Sequence, residues 1–311
     1  MIQWSSIGSV PDDFSDTAVT IGKFDGVHLG HLKLLAELTE AAEQAGLSAV
    51  VVTFDRHPDA LLNPSVAKLP LIGPLQKRHL LLEAGVDATL TLPFDETLSS
   101  LSPADFVDTI LVKTLRAKIV LVGEGFRFGH HGAGDVSTLR QLGAQHGFLV
   151  REVSHAAIDG EKVSTTRIRE ILDEGNVAKA SSMLGRDHIN TGVIEHGLKI
   201  GRTIGFPTAN LSRSAEGYLP LDGVYAGWLY ADGQRYPAAH SVGINETFQA
   251  VPRLVESHVL DRKDLDLYDK VVDVDYVSFI RPAAKFDGME TLIQAIQADC
   301  DEISRQLSEL K

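Results

Sequence analysis

From Thr17 to about Val153 the chain alternates short apolar runs with segments of helical period, and that alternation leaves few ways to arrange its strands. Apolar runs at 18–24, 49–54, 88–92, 118–123 and 148–153 are read as strands, and 29–45, 75–84, 103–115 and 136–146 as helices. Strands interleaved with helices in this way give a parallel sheet flanked by helices. Ser102 before Pro103 and Asp105 marks a helix start, because Ser can cap free amides and Pro fits the first helical position.

After about Gly185 the texture changes to β-branched and aromatic runs separated by Gly, Pro and Asp. Strands are expected at 190–196, 223–230, 236–244, 254–260 and 271–280, enough for a small closed antiparallel barrel, with no helical stretch until a terminal helix at 290–310. The junction at 175–187 reads as short and helical. Two domains are expected, 1–182 and 183–311, and 311 residues suffice to give each a core. A net charge of −13 and a pI near 5.3 argue against a broad nucleic-acid-binding face, which needs clustered Lys and Arg. Cys300 is the one cysteine, the first residues lack an export pattern, and no apolar run approaches the ~18–20 residues that span a bilayer. The expectation is a cytoplasmic protein with no membrane and no nucleic-acid partner.

Thr20-Ile-Gly-Lys-Phe-Asp-Gly-Val-His-Leu-Gly-His31 carries a strand through a Gly-rich turn into a helix. Gly22, Gly26 and Gly30 let the backbone approach a ligand, and the helix start aims free amides and its positive dipole end at the same spot. His28 and His31, three apart, share one helical face there. An isolated His-x-x-His is more often a zinc pair or a solvated face. Here the glycines and helix start favour an anion site, and no carboxylate stands at zincin spacing.

This arrangement resembles the nucleotidylyltransferase superfamily, whose His-x-Gly-His signature holds nucleotide phosphates. A second signature is expected near the end of that domain, and Val163-Ser-Thr-Thr-Arg-Ile-Arg169 stands there. With Phe54-Asp-Arg-His-Pro58 and Gly123-Glu-Gly-Phe-Arg-Phe-Gly129, these segments resemble the FMN adenylyltransferase half of bacterial bifunctional riboflavin kinase/FAD synthetases. The resemblance implies a Rossmann-like α/β domain in which His28, His31 and Arg169 serve adenylyl transfer. Gly22, Phe24, Asp25, Gly26, Gly30, Ser164, Thr165 and Thr166 would then bind the nucleotide. Two positions depart from the family: Gly125 stands where Asn or Asp is usual, and Thr165 replaces a Ser.

In the second half, Gly192 to Asn210 is again rich in glycine and hydroxyls but has no Walker spacing. A phosphoryl-transfer site needs backbone over the phosphates, oxygen ligands for magnesium and a base for the attacking hydroxyl. Residues 197–205 can cover the phosphates, Thr208 and Asn210 offer neutral oxygens for Mg2+, and Glu256 is a lone acid within an apolar strand. The segments 205–210, 222–227 and 255–257 resemble the riboflavin kinase module. That likeness implies a six-stranded barrel, Glu256 as base for the riboflavin 5′-hydroxyl, Gly201, Gly205 and Pro207 at the nucleotide, and Arg281 near nucleotide or flavin. Glu246 falls where the family usually has Pro.

The likeness spans about 18–299 and implies ATP as co-substrate of both steps, with riboflavin and FMN as small-molecule substrates. Three other readings stand beside it. One is a riboflavin kinase whose first half is weakened by Gly125. Another is transfer of a nucleotide to a different phosphate, and the third is a nucleotide- or flavin-sensing module without turnover.

Overall fold

The computed structural model describes residues 1–311 apart from 63, 64, 66, 67, 197–199, 244–252, 263 and 311. The chain forms two compact units, Met1–Pro70 with Pro74–Val163, and Leu71–Gly73 with Ser164–Lys311.

The first unit is built on six strands, β1 (Ile2–Trp4), β2 (Thr17–Ile21), β3 (Ser48–Phe54), β4 (Ala88–Leu92), β5 (Ala117–Gly123) and β6 (Leu149–Val153). They run parallel in the order β1-β4-β3-β2-β5-β6. All five residues of β2 are buried, which is why it reads as an unbroken apolar run instead of an alternation. On one face Val19, Ile21, Val50, Val52, Leu90 and Val120 pack with Phe106, Ile110 and Leu111. Helix α1 (Leu29–Ala45) packs against β2, β3 and β5 and buries Leu34, Leu35 and Leu38. It is followed by α2 (Pro74–Glu83), α3 (Pro103–Phe106, continuing as a π-helix over Val107–Thr114) and α4 (Val136–His146). The Ser102 hydroxyl caps α3 by accepting from the Asp105 amide at 3.1 Å. Chain direction across the sheet reverses between β2 and β5, and the crevice outside their carboxyl ends is where open α/β sheets bind ligands.

In the second unit, α5 (Thr165–Asp173) and α6 (Val177–Leu184) precede the barrel strands β7 (His188–Glu195), β8 (Ala209–Leu211), β9 (Gly223–Ala231), β10 (Gln234–Gly243), β11 (Leu254–Val259), β12 (Val271–Tyr276) and β13 (Ser278–Pro282). The order β10-β11-β8-β7-β12-β9 closes through a β9–β10 ladder, so six strands form a ring. β13 continues past Val277 onto the other half of β9, so the expected strand at 271–280 is split in two. Helices α5 and α6 belong to the same compact unit as the barrel, with the Leu221 amide donating to the Leu172 carbonyl at 2.9 Å. A single helical turn at Ile200–Thr203 interrupts a stretch expected to hold no helix. Terminal helix α7 (Met289–Ser308) covers the outer face of β9, packing Cys300, Ile303 and Leu307 on Val224, Ala226 and Trp228.

Alternation sorts the barrel residues: Val255, Ser257 and Val259 of β11 are buried inward, leaving Glu256 and His258 on the outer face. The interior holds polar side chains, among them His188, Asn190, His240 and Ser257. Tyr276 Oη donates to Asn190 Oδ1 at 2.7 Å, and His240 Nδ1 lies 2.9 Å from Ser257 Oγ. Burial pushes His188 down to about 4 and His240 to about 3. The unfolded chain therefore takes up protons first, and their stabilising contribution, complete above ~6.5, is lost as pH falls toward 4. Each histidine then costs on the order of 3 kcal/mol. Asp275, raised to about 6 by burial, acts oppositely and offsets one of them. Trp228, isolated spectroscopically by Trp4→Phe, should report a net loss on the order of 3 kcal/mol between pH 6.5 and 4. Asp275→Asn should steepen that loss, measured by denaturant titration.

Candidate active sites

In the first unit the Gly-rich turn begins where β2 ends. Phe24, Gly26 and Val27 all take left-handed φ (48°, 86° and 38°), two of them with side chains that disfavour it. Phe24 and Val27 are fully buried, so packing holds the turn in that shape, and the expected strand at 18–24 stops at Ile21 for the same reason. The chain then enters α1 with His28 as its N-cap, the Nδ1 accepting from the His31 amide at 3.3 Å. With Nδ1 turned to the backbone, Nε2 is the ring nitrogen of His28 left to donate outward. The two imidazoles stack at 3.8 Å between centroids and 10° between planes. A Cβ on Gly30 would stand 3.1 Å from His28 Cε1, so glycine lets the ring fold over the helix start.

His31 is held well below the ordinary histidine range, first by burial, then by the charges of His28 and Lys77. Lys77, which the sequence did not single out, donates from Nζ to the Lys23 carbonyl at 3.2 Å. Lys23 Nζ lies 2.9 Å from His57 Nε2, which brings the segment after β3 to the same turn, and Asp25 is 6% exposed. After β5, Gly125 takes φ +76°, and a Cβ there would meet no atom within 4 Å. Asn and Asp tolerate that conformation, so the departure at this position costs a side chain and leaves the backbone as Asn would have it.

Ser164, Thr165, Thr166 and Arg169 belong to the second unit. The Ser164 hydroxyl caps α5, accepting from the Arg167 amide at 3.2 Å. Arg169 is 5% exposed, with its guanidinium 5.9 Å from the centre of the Tyr218 ring.

On the barrel, β8 and β11 pair so that Asn210 stands directly opposite Glu256, with Glu195 of β7 opposite Asn210 on its other side. Cross-strand partners share a face, which sets Asn210 and Glu256 side by side on the outside of the barrel. Gly205, at φ +93°, turns the chain so that the Phe206 amide reaches the Gly201 carbonyl at 2.8 Å. A Cβ on Gly201 would run into the Phe206 carbonyl oxygen. His258 Nδ1 donates to the Pro207 carbonyl at 2.8 Å and ties this turn to β11. Beside it a cleft is lined by Thr208, Pro207, Arg202, Arg262, Leu267 and Tyr268, and neither arginine was anticipated. Arg281 directs its fork at Asp299 of α7, with Nη2 2.7 Å from the carboxylate. The expectations at 197–199 and at Glu246 fall outside the described residues.

Comparison with known proteins gives a consistent result. A family model described as FAD synthetase matches residues 10–167, and one described as riboflavin kinase matches 184–307. Similar proteins from Listeria monocytogenes, Pseudomonas fluorescens and Escherichia coli are each described as bifunctional riboflavin kinase/FMN adenylyltransferase. Identity to the first is 33%, over 96% of this chain and 92% of that one. For the other two it is 37% (90% and 89% covered) and 34% (90% of each). A solved Streptococcus pneumoniae structure, described as a macrolide-efflux protein, matches with a TM-score of 0.87 and 32% identity over 98% of both chains.

The buried stack makes a prediction of its own. His31 should remain neutral through the region near 6.5 where an ordinary histidine protonates. Imidazole nitrogen shifts followed by NMR would check this, and Lys77→Met should move its titration upward by removing one of the three causes.

Proposed function

Because the chain belongs to the bifunctional riboflavin kinase/FMN adenylyltransferase family, we propose an assignment of its two reactions to the residues described above. As a member it is an ATP-dependent enzyme that phosphorylates riboflavin to FMN and adenylylates FMN to FAD. We draw the functional boundary between 182 and 183, which the limits of the two family matches at 167 and 184 support.

In adenylyl transfer, a phosphate oxygen of FMN attacks the α-phosphorus of ATP while the bond to the bridging oxygen breaks and pyrophosphate leaves. The step needs positioned donors and no covalent intermediate. His28 offers Nε2–H and His31 a neutral imidazole to the phosphates. Gly22, Phe24, Asp25, Gly26 and Gly30 form the turn around them, and Ser164, Thr165, Thr166 and Arg169 are the nucleotide-binding residues that the family resemblance adds. The imidazoles stabilise charge by hydrogen bonding, His31 in its neutral form, and the helix start adds its positive end.

In the kinase, Glu256 takes the proton of the riboflavin 5′-hydroxyl as that oxygen attacks the γ-phosphorus and ADP departs. A carboxylate suffices, since a loose transition state asks the base for position more than strength. Thr208 and Asn210 fit Mg2+, whose hard charge favours oxygen ligands and which usually takes few from protein and more from phosphates and water. Among the described residues no cluster of three or more His, Cys, Asp or Glu could hold a metal by itself, in keeping with an ion shared with ATP. Bound there, Mg2+ would neutralise phosphate charge. Gly201, Gly205 and Pro207 cover the nucleotide, Arg202 and Arg262 flank it, and Arg281 orients the flavin side through its pairing with Asp299. The observation that carries this reading is the register setting Asn210 beside Glu256.

A cytoplasmic setting fits a lone, buried cysteine and two ATP-dependent steps, and the acidic charge disfavours nucleic acid as a partner. No helix among the described residues is long and apolar enough to cross a membrane.

Purified chain supplied with ATP, Mg2+ and either riboflavin or FMN tests the assignment. His31→Ala should lower FAD formation about 10²- to 10³-fold and leave FMN formation intact. Glu256→Gln should do the reverse, and unchanged rates in either variant would remove that residue from its role. Gly125→Asn should fold normally and raise FAD formation, since an amide there enters open space at a compatible φ.

A further inference from the structure

Lys77 is an ionisable group at the turn before the His28–His31 stack that the mechanism above does not use, and its surroundings are difficult to explain as scaffolding. It lies in α2, and its ammonium is directed at the turn between β2 and α1. There its single described hydrogen bond goes to the Lys23 carbonyl, at 3.2 Å. That carbonyl already accepts from Thr53 Oγ1, also at 3.2 Å. Asp25 from the same turn and Asp55 from the segment after β3 exert a favourable field on Lys77, yet neither forms an ion pair with it among the described residues. The charge of Lys77 is one of the three causes that hold His31 of α1 below the ordinary histidine range. Burial outweighs both aspartates and holds Lys77 below the ordinary lysine range.

A lysine needed only to pin a carbonyl would gain nothing from such a site. Its charge is partly desolvated, one bond is made, and the bond is redundant with a hydroxyl. Lys77 is half-buried, and desolvating even part of an ammonium without a paired anion costs free energy. An anion arriving at the helix start would supply the missing partner. Convergence of four segments on this point, the turn, α1, the loop after β3 and α2, gives the ammonium a fixed position from which to meet it.

We propose that Lys77 binds phosphate in the adenylyl-transfer site, its ammonium pairing with the triphosphate of bound ATP and then with the departing pyrophosphate. The inference rests on the assignment of His28 and His31 to that site. Lys77 would stabilise charge on the leaving group as the bond to the α-phosphorus breaks, without taking or giving a proton.

The test uses the full chain and inorganic pyrophosphate as the probe. Pyrophosphate affinity by calorimetry and the KM for ATP with FMN as acceptor are compared in wild type, Lys77→Met, Lys77→Arg, Thr53→Val and His31→Ala. Lys77→Met should weaken both by roughly tenfold or more, the scale of one charge-assisted hydrogen bond. The KM for FMN and the rate of riboflavin phosphorylation should not change, and the thermal midpoint should not fall, because desolvation of that charge outweighs the field of the two aspartates. Lys77→Arg should retain most of the affinity, and Thr53→Val all of it. Wild-type affinity should decline on the alkaline side before an ordinary lysine would titrate, with Lys77→Arg shifting that decline upward. This second readout stands even if Lys77→Met folds poorly. Unchanged pyrophosphate affinity in Lys77→Met, or an equal loss in Thr53→Val, would overturn the proposal. Should His31→Ala keep full affinity and FAD synthesis, the site assignment itself fails. Should it lose both while Lys77→Met loses neither, only the role of Lys77 fails.

Discussion

The hydrogen bond from the His31 amide to His28 Nδ1 organises the first site. It uses a histidine as helix cap, where Ser or Asp would ordinarily serve, and so spends one ring nitrogen on the backbone and turns the other outward. The stacked imidazoles, the need for glycine at position 30 and the left-handed residues of the preceding turn all follow from fitting a ring into a cap position. The parallel sheet serves this arrangement by ending β2 beside the point where its strand order reverses. Packing that buries Phe24 and Val27 offsets the strain of the turn.

The barrel solves a different problem with the same economy of parts. Closure of six strands removes the sheet edges, and the pleat assigns alternate residues to an interior that includes tyrosines, histidines and Asn190. The outer face is thereby left free for chemistry. β8 is only three residues long, yet its pairing on both sides fixes which of them faces Glu256. A shift of one residue would turn Asn210 inward and Ala209 outward. Register accordingly governs the second site as capping governs the first.

Much of this could be read in the sequence where a segment's period matched its burial. Strand β4 and helices α1 and α4 occupy the expected residues, and the barrel strands differ at their ends, because apolar pattern and turn residues both marked them. Other features left no local signal. Strand β1 and strand β8 are too short to show a period, and the break at Val277 depends on β9 being shared between two partners. Lys77 is a lysine on a helix, indistinguishable in sequence from a solvated one until α2 is placed against the turn. Arg202 and Arg262 are separated by sixty positions and meet only because the turn at 201–206 is tied back to β11 by His258. Nor could a Gly-rich run announce that two non-glycine residues within it adopt left-handed conformations.

With both family halves in one chain, two separable active sites linked by a diffusible product are expected. Mixing two crippled chains tests that expectation most directly. His31→Ala should convert riboflavin to FMN and stop there, and Glu256→Gln should convert FMN to FAD but leave riboflavin untouched. An equimolar mixture supplied with riboflavin, ATP and Mg2+ should then accumulate FAD, resolved by chromatography, although neither variant alone does so. Full FAD synthesis from riboflavin by either variant alone, or none by the mixture, would contradict it.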